Sequence, residues 1–284
     1  MIRIITDSMS DYIHAAHRDP GVLFAFQPVR FGMEEYTDDG VSLTQADFYA
    51  RLRTATQLPQ TSMVPEAAWK AALKTALADP ADCALIIAGS SKLSGGYQSA
   101  VNAAAAMKAP ERIAVIDSLS ATCGEIMLID CAIRQRDAGA SLAEAVAAVE
   151  ELKARQRLVG LAEDLRYLVM GGRLNPLIGK VGTALSIKPV LKLEDGVIEK
   201  AGMVRGMKKG YAWYVDQLRL CPPDPSVPMY IGGADCPETA QMLRQMMLDS
   251  GIDLPEIRCV GVGCLIGAHV GPGLTLVCWA AKSR

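Results

Sequence analysis

The segment Cys83–Ala88 is a short, unbroken apolar run. It is followed at once by Gly89-Ser-Ser-Lys-Leu-Ser-Gly-Gly96, and then by an alanine-rich helical run, Val101 to Met107. A fully apolar run of this length between turn residues is the pattern of a strand buried on both faces, as in a parallel sheet. Strand, Gly/Ser loop and helix start, in that order, restrict the chain to an α/β plan. The loop presents hydroxyls and backbone N–H groups at the positive end of a helix, a setting that suits an anionic head group. Its spacing is neither GxxxxGK[ST] nor GxGxxG, so it is not a nucleotide loop of either kind.

The same alternation extends through the first half. Ile2 to Thr6 and Pro28 to Phe31 read as short strands, and Ile113 to Ile116 as a second central one. Thr44-Gln-Ala-Asp47 is a capping pattern ahead of Phe48 to Leu52. Pro65 suits a first helical position and leads a helix over Glu66 to Ala78. Helices are expected over Ala121 to Asp137 and Ser141 to Gln156, with Gly139 as the stop between them.

The second half has a different rhythm. Lys188 to Leu193 and Val197 to Val204 flank Glu194-Asp-Gly196, a hairpin signal. Strands are expected at Met229–Gly232, Ile257–Val262 and Leu274–Ala280, and helices at Met207–Leu220 and Pro237–Asp249. This predicts a two-domain α/β protein: residues 1–157 carry a mostly parallel sheet with flanking helices, and residues 158–284 form a mixed α/β domain. Cys221 to Pro228 is a proline-rich connector inside the second unit.

Composition narrows the function classes. Of 284 residues, 50% are hydrophobic and 21% charged, enough for a sizeable core. The net charge of −2, without a Lys/Arg block, argues against general nucleic-acid binding. So does the 5% aromatic content, which is too sparse for base stacking. No apolar run reaches the roughly 18 residues of a membrane span. The first residues read as a strand, not as a signal peptide. None of the eight cysteines forms a CxxC pair or has a histidine at zinc spacing. They read as small buried thiols in a reducing compartment, and no metal site is expected.

Five segments stand out as candidate sites. Thr6-Asp7-Ser8 follows the first strand, where open parallel sheets bind ligands, although an Asp/Ser turn alone explains it. Thr61 and Ser62 precede Pro65 and offer hydroxyls to a carboxylate or a cap to a helix. The opening loop supplies Ser90, Ser91 and Ser94, and Gly95 and Gly96 allow close backbone approach. Val260 to Gly273 reads as a glycine-rich turn carrying His269 and Gly271; His14 and His17 read as surface residues. Gly171-Gly-Arg173 presents a guanidinium fork to a carboxylate or phosphate. No GxSxG elbow and no HExxH segment occurs. Ser94 with His269 as base is the remaining enzymatic arrangement, and no third member is indicated.

Taken in order, Ile5-Thr-Asp-Ser8, Thr61-Ser62 before Pro65, Ser90-Ser-Lys-Leu-Ser-Gly95 with Tyr97-Gln-Ser-Ala100, and Val115-Ile-Asp-Ser118 resemble the DegV family. The series continues with Leu165-Arg-Tyr-Leu168, Gly171-Gly-Arg173, Ile187-Lys-Pro189, Val204-Arg205 and Gly267-Ala-His-Val-Gly-Pro-Gly273. It departs from the family where Met-Val-Pro follows Thr61-Ser62, where Gly96 replaces a common Thr, and where Asp7-Ser8 is followed by Met-Ser.

The resemblance implies a cytoplasmic, non-catalytic protein that holds a long-chain fatty acid in a buried tunnel, with no other cofactor. A separate fatty acid kinase would be its partner, phosphorylating the bound carboxylate. Carried over, Thr61, Ser62 and Ser94 would hold the carboxylate. Arg173 and His269 would face the head group or its phosphate. Asp7, Ser8, Gly95 and Gly271 would support the loops, and Arg205 would face the kinase. A monomer is expected. The alternatives are an acyl hydrolase using Ser94 and His269, and a lipid-responsive sensor.

Overall fold

The computed structural model describes residues 1–177 and 187–282. Two sheets face each other across a layer of helix. The first is parallel throughout, in the order β2 (Leu23–Ala25), β1 (Ile2–Asp7), β6 (Cys83–Ala88), β7 (Ile113–Asp117). Its outer face is covered by α2 (Glu66–Ala76) and α3 (Gly96–Ala106), which bury Trp69, Leu73, Ala100 and Ala103 against Ile5, Ala84 and Ile86. The alternation along β6 follows the period of a strand: Leu85 and Ile87 point to the inner face, Ala84 and Ile86 to the outer.

The second sheet has six strands. Their order is β10 (Val197–Arg205), β9 (Ile187–Glu194), β8 (Gln156–Leu161), β13 (Thr275–Ala280), β11 (Met229–Gly233), β12 (Ile257–Gly261). Only β11 and β12 pair in parallel. Helices α7 (Gly206–Leu220) and α8 (Pro237–Leu248) pack on its outer face against Val159, Leu161, Val190, Val277 and Trp279.

Between the sheets lies α4 (Cys123–Asp137). Its first turns, Cys123 to Ala132, are buried on every side, so it shows no apolar stripe of its own. Ile126, Met127 and Ile129 share one core with Ile4 and Leu85 of the first sheet and with Leu158, Tyr230 and Cys278 of the second. Helix α5 (Leu142–Arg155) follows, opened by a complete capping box of Ser141 and Glu144. A third, small sheet, β4 (Glu34–Thr37), β3 (Pro28–Phe31) and β5 (Gln60–Thr61), carries α1 (Gln45–Thr54), capped by Thr44 as its spacing predicts.

Several segments differ from the sequence reading. The chain leaves α5 directly into β8, a strand the sequence reading did not foresee because Gln156 and Arg157 mask its start. Pro65 caps α2 instead of opening it. The glycine-rich stretch after Val260 is mostly not a turn: β12 ends at Gly261 and α9 (Cys264–Val270) follows, its glycines sitting where other segments of the chain press close, and the turn is confined to Gly271–Gly273. His14 and His17 are half-buried, not surface residues, and His17 bonds Asp130 at 2.9 Å. Among the described residues, no helix is long and apolar enough to cross a membrane and no group of His, Cys, Asp and Glu is arranged to hold a metal.

Candidate functional site

The carboxyl ends of β1, β6 and β7 lead into three loops on one edge of the parallel sheet, where such sheets bind ligands. Two strand-end carboxylates staple these loops together. Asp7 accepts hydrogen bonds from the N–H of Met9 at 2.8 Å and of Gly89 at 3.2 Å. Asp117 accepts from Ser91 at 3.1 Å and Leu119 at 3.0 Å. Ser8 is also a fastener: its hydroxyl donates to the Asp38 carbonyl at 3.1 Å and accepts from the Gln27 N–H at 3.0 Å. Burial pushes both the Asp7 and the Asp38 carboxyl up to about 6.

Beyond these loops lies a cavity of about 180 Å³ between the two sheets. Met9, Leu93, Ala121 and Thr122 come from the loops of the first sheet. Leu158, Gly160, Leu191, Leu193 and Leu276 come from the inner face of the second. Leu168, Leu265 and Val270 close it from α6 (Arg166–Met170) and α9. The wall is mostly apolar, with a compact polar group at one end: Thr61, Ser62, Ser94, Arg173 and His269. Thr61, Ser62, Arg173 and His269 also line a second, more polar hollow of about 360 Å³, together with Arg30, Glu35 and Gln60. The polar group therefore stands at the junction of an oily cavity and a polar one.

The geometry within that group is specific. Thr61 Oγ1 and His269 Nε2 are hydrogen-bonded at 2.7 Å. Arg173 donates from Nε to the Leu93 carbonyl at 3.2 Å and from a terminal nitrogen to the Gly171 carbonyl at 2.6 Å, which ties the segment after α6 to the Ser94 loop. Ser94 Oγ accepts from the Gly96 N–H at 3.3 Å, leaving its own proton to donate. Gly171 lets α6 press on the imidazole: a Cβ there would stand 2.7 Å from His269 Nδ1. Gly271, at φ +70°, ends α9 where a Cβ would stand 2.2 Å from the Tyr167 ring. Gly95 faces Met63 in the same close manner and belongs to the cavity lining.

Of the residues singled out from sequence, Thr61, Ser62, Ser94, Gly95, Arg173 and His269 come together around the cavity. Asp7, Ser8 and Gly271 lie outside its lining. Arg205 is exposed at the end of β10 and lines neither hollow. Ser90 turns away from the ligand side, donating instead to the Gly196 carbonyl of the β9–β10 hairpin at 2.8 Å. The apolar wall itself escaped the sequence reading, since its leucines carry the same signal as ordinary core.

Burial holds the His269 imidazole well below its ordinary value, at about 4, and the charge of Arg173 adds to the effect. His269 is therefore neutral near pH 7. Its Nδ1 is buried without a partner among the described residues, so no carboxylate stands behind it as in a hydrolytic triad. Because the folded value is depressed, stability from this group is lost as pH falls from about 6.5 toward 4. Asp7 and Asp38 act in the opposite sense over nearly the same window. An imidazole NMR titration of the ligand-free protein is expected to show a His269 midpoint near 4. A midpoint near 6.5 would mean that the ring is solvated.

The family model described as "Uncharacterised protein, DegV family" matches residues 1–282. The chain belongs to the DegV family. A DegV domain-containing protein of Caldanaerobacter subterraneus subsp. tengcongensis is 32% identical over 95% of both chains. Among solved structures, a DegV family protein from Thermus thermophilus, described by its fatty acid binding, superposes with a TM-score of 0.88 at 29% identity over 98% of this chain and 99% of that one. A stearic acid-binding protein from Eubacterium ventriosum gives 0.83 at 26% identity over 99% and 98%. The Streptococcus pneumoniae fatty acid kinase B3 protein, loaded with linoleic acid, shares the fold with a TM-score of 0.86 at 22% identity over 99% of this chain and 100% of that one.

Proposed function

We propose that this DegV protein binds a long-chain fatty acid with its tail in the apolar cavity and its carboxylate at the polar junction. The observation that carries the reading is the placement of Thr61, Ser62, Arg173 and His269 on the shared rim of an oily hollow and a polar one. An amphiphile with one charged end matches such a rim. Burying the tail contributes about 0.8 kcal/mol per methylene, so affinity needs few polar contacts. The carboxylate needs donors, because burying it unpaired is costly. Ser94 and Thr61 supply hydroxyls, and Arg173 supplies the opposite charge. The fatty-acid binding described for the Thermus thermophilus and Eubacterium ventriosum proteins supports the reading.

The carrier presents the carboxylate to a separate kinase through the polar hollow. Arg205, exposed on β10 and outside both linings, belongs to the docking face in this reading. Arg205→Ala is expected to leave fatty-acid affinity within about twofold, as for a surface substitution, and to slow acyl-phosphate formation by a partner kinase. Equal rates would remove Arg205 from the docking face.

Native mass spectrometry of freshly purified protein, followed by denaturing lipid extraction, tests the main reading. A fatty acid at one per chain is expected. A protein that purifies empty and takes up no member of a fatty-acid panel would overturn it.

A further inference from the structure

Gln27 and Thr122 line the apolar cavity as well, and both are shut off from outside solvent, at 1% and 3% exposure. Their backbones are engaged elsewhere. The Gln27 N–H donates to Ser8 Oγ at 3.0 Å, and its carbonyl accepts from the Asp38 N–H at 2.9 Å. The Thr122 N–H donates to the Met9 carbonyl at 2.7 Å, and its own carbonyl accepts from the Ile126 N–H at 2.9 Å. The side chains are not engaged: Gln27 Oε1 and Thr122 Oγ1 are buried, and neither has a hydrogen-bond partner among the described residues. A buried polar atom left unpaired is costly, so each of these needs a reason. Local structure supplies none at Thr122. Thr122-Cys-Gly-Glu125 has the spacing of a capping box for α4. Yet the Thr122 hydroxyl caps nothing, and Glu125 accepts instead from Thr6 Oγ1 at 3.0 Å. Thr122 also sits at φ +48°, where a β-branched residue is strained and a glycine is not.

Both residues are fastened to the same two-residue segment, Ser8–Met9, and Met9 itself lies in the lining. Their level in the cavity follows from β3 and β5. The Ser62 N–H donates to the carbonyl of Pro28, the residue after Gln27, at 3.4 Å. Gln27 therefore stands next to the polar rim, away from the deep end where Leu158 joins the core around α4. An acceptor, Gln27 Oε1, and a hydroxyl, Thr122 Oγ1, complement a group that both donates and accepts. Resting on the fatty-acid reading, we infer that Gln27 and Thr122 form a second polar subsite, which takes the hydroxyl of an acyl chain hydroxylated close to its carboxyl end. The ligand O–H donates to Gln27 Oε1, and its oxygen accepts from Thr122 Oγ1. With the carboxylate, the hydroxyl and the tail each held, the carbon bearing the hydroxyl is fixed at three points, so one enantiomer fits.

The test is competitive uptake from an equimolar mixture of hexadecanoic, racemic 2-hydroxyhexadecanoic, racemic 3-hydroxyhexadecanoic and racemic 12-hydroxyhexadecanoic acids, quantified by chiral chromatography and mass spectrometry after extraction. The unaltered protein is expected to take one enantiomer of the 2- or the 3-hydroxy acid over hexadecanoic acid by about tenfold or more, the worth of two hydrogen bonds that the plain chain leaves unmade. Gln27→Leu and Thr122→Val, each close in size to the residue it replaces, should remove that preference. Each should also raise the affinity for hexadecanoic acid measured alone, because one fewer buried polar atom is left unpaired beside its tail. A damaged fold would lower the affinity for every acid, so the rise separates a lost subsite from a lost structure. Equal uptake of the four acids by the unaltered protein, a preference for the 12-hydroxy acid, or one shared by both enantiomers overturns the subsite and leaves Gln27 and Thr122 holding an ordered water only. A preference that survives both substitutions overturns it too. Uptake of no acid by the unaltered protein overturns the fatty-acid reading itself.

Discussion

Ser94→Ala is expected to weaken fatty-acid binding by roughly 10- to 100-fold, the worth of one hydrogen bond to a charged group. The argument rests on what the hydroxyl already does. Its oxygen accepts from the Gly96 N–H, and its proton is uncommitted among the described residues. Thr61, the other hydroxyl of the rim that is held in place, already shares its oxygen with His269. Ser94 is therefore the donor with most to give to an arriving carboxylate. Alanine removes that donor and leaves the buried Gly96 N–H without its side-chain partner, a loss of about 0.5–2 kcal/mol. Titration calorimetry with a saturated and an unsaturated acid should show the same loss for both, with the melting temperature lowered by about a few degrees. Unaltered affinity would remove Ser94 from the carboxylate site and leave Thr61 and Arg173 to carry it.

The second large effect concerns stability. Asp130, on the last buried turns of α4, gathers three partners on one carboxylate oxygen: Tyr230 at 2.6 Å, Arg258 at 2.7 Å and His17 at 2.9 Å. Tyr230 lies on β11 and Arg258 on β12, so this carboxylate ties the central helix to the second sheet and to the segment after β1. Asp130→Ala strands a fully buried phenol and removes one partner of Arg258. Breaking such a buried pair costs about 3–5 kcal/mol. For a chain of this size that lowers the melting temperature by roughly 10 °C. Asp130→Asn keeps one acceptor and should lose about half as much. A scanning calorimetry shift of less than a few degrees for the alanine variant would show that Arg258, still paired with Glu256, carries the junction without Asp130.

Much of the parallel sheet was legible in the chain because its central strands, β1 and β6, are buried on both faces. Cys83–Ala88 and Ile113–Ile116 are unbroken apolar runs, each followed by its own turn chemistry, although the second forms the half-buried edge strand β7 and not a central one, because nothing pairs with its outer side among the described residues. The β9–β10 hairpin was legible from Glu194-Asp-Gly196, where Asp195 and Gly196 both adopt positive φ. β8 was hidden for the opposite reason: its first residues are polar, and it follows a helix without a break. The glycines between Gly261 and Gly273 carried a turn signal but serve close contacts. Gly267, for example, lies under the rings of Phe48 and Tyr49.

The candidate site divides along the same line. Thr61, Ser62, Ser94, Arg173 and His269 could be named from the chain, because hydroxyls, an arginine beside glycines and a lone histidine are chemically distinctive wherever they occur. What brought them together was the tertiary structure. Thr61 and His269 are separated by 208 positions and meet through a single hydrogen bond. The cavity wall was decided wholly at that level. Leu158, Leu191 and Leu276 are ordinary strand leucines in the sequence, and Gly160 is an ordinary glycine. Only strand register sets Leu191, Gly160 and Leu276 in one row beside Leu158, and only the separation of the two sheets lets these residues line a cavity. Local sequence thus determined which chemistry was available, because reactive groups are properties of single residues. A cavity is made by the absence of atoms, and that depends on how distant segments pack.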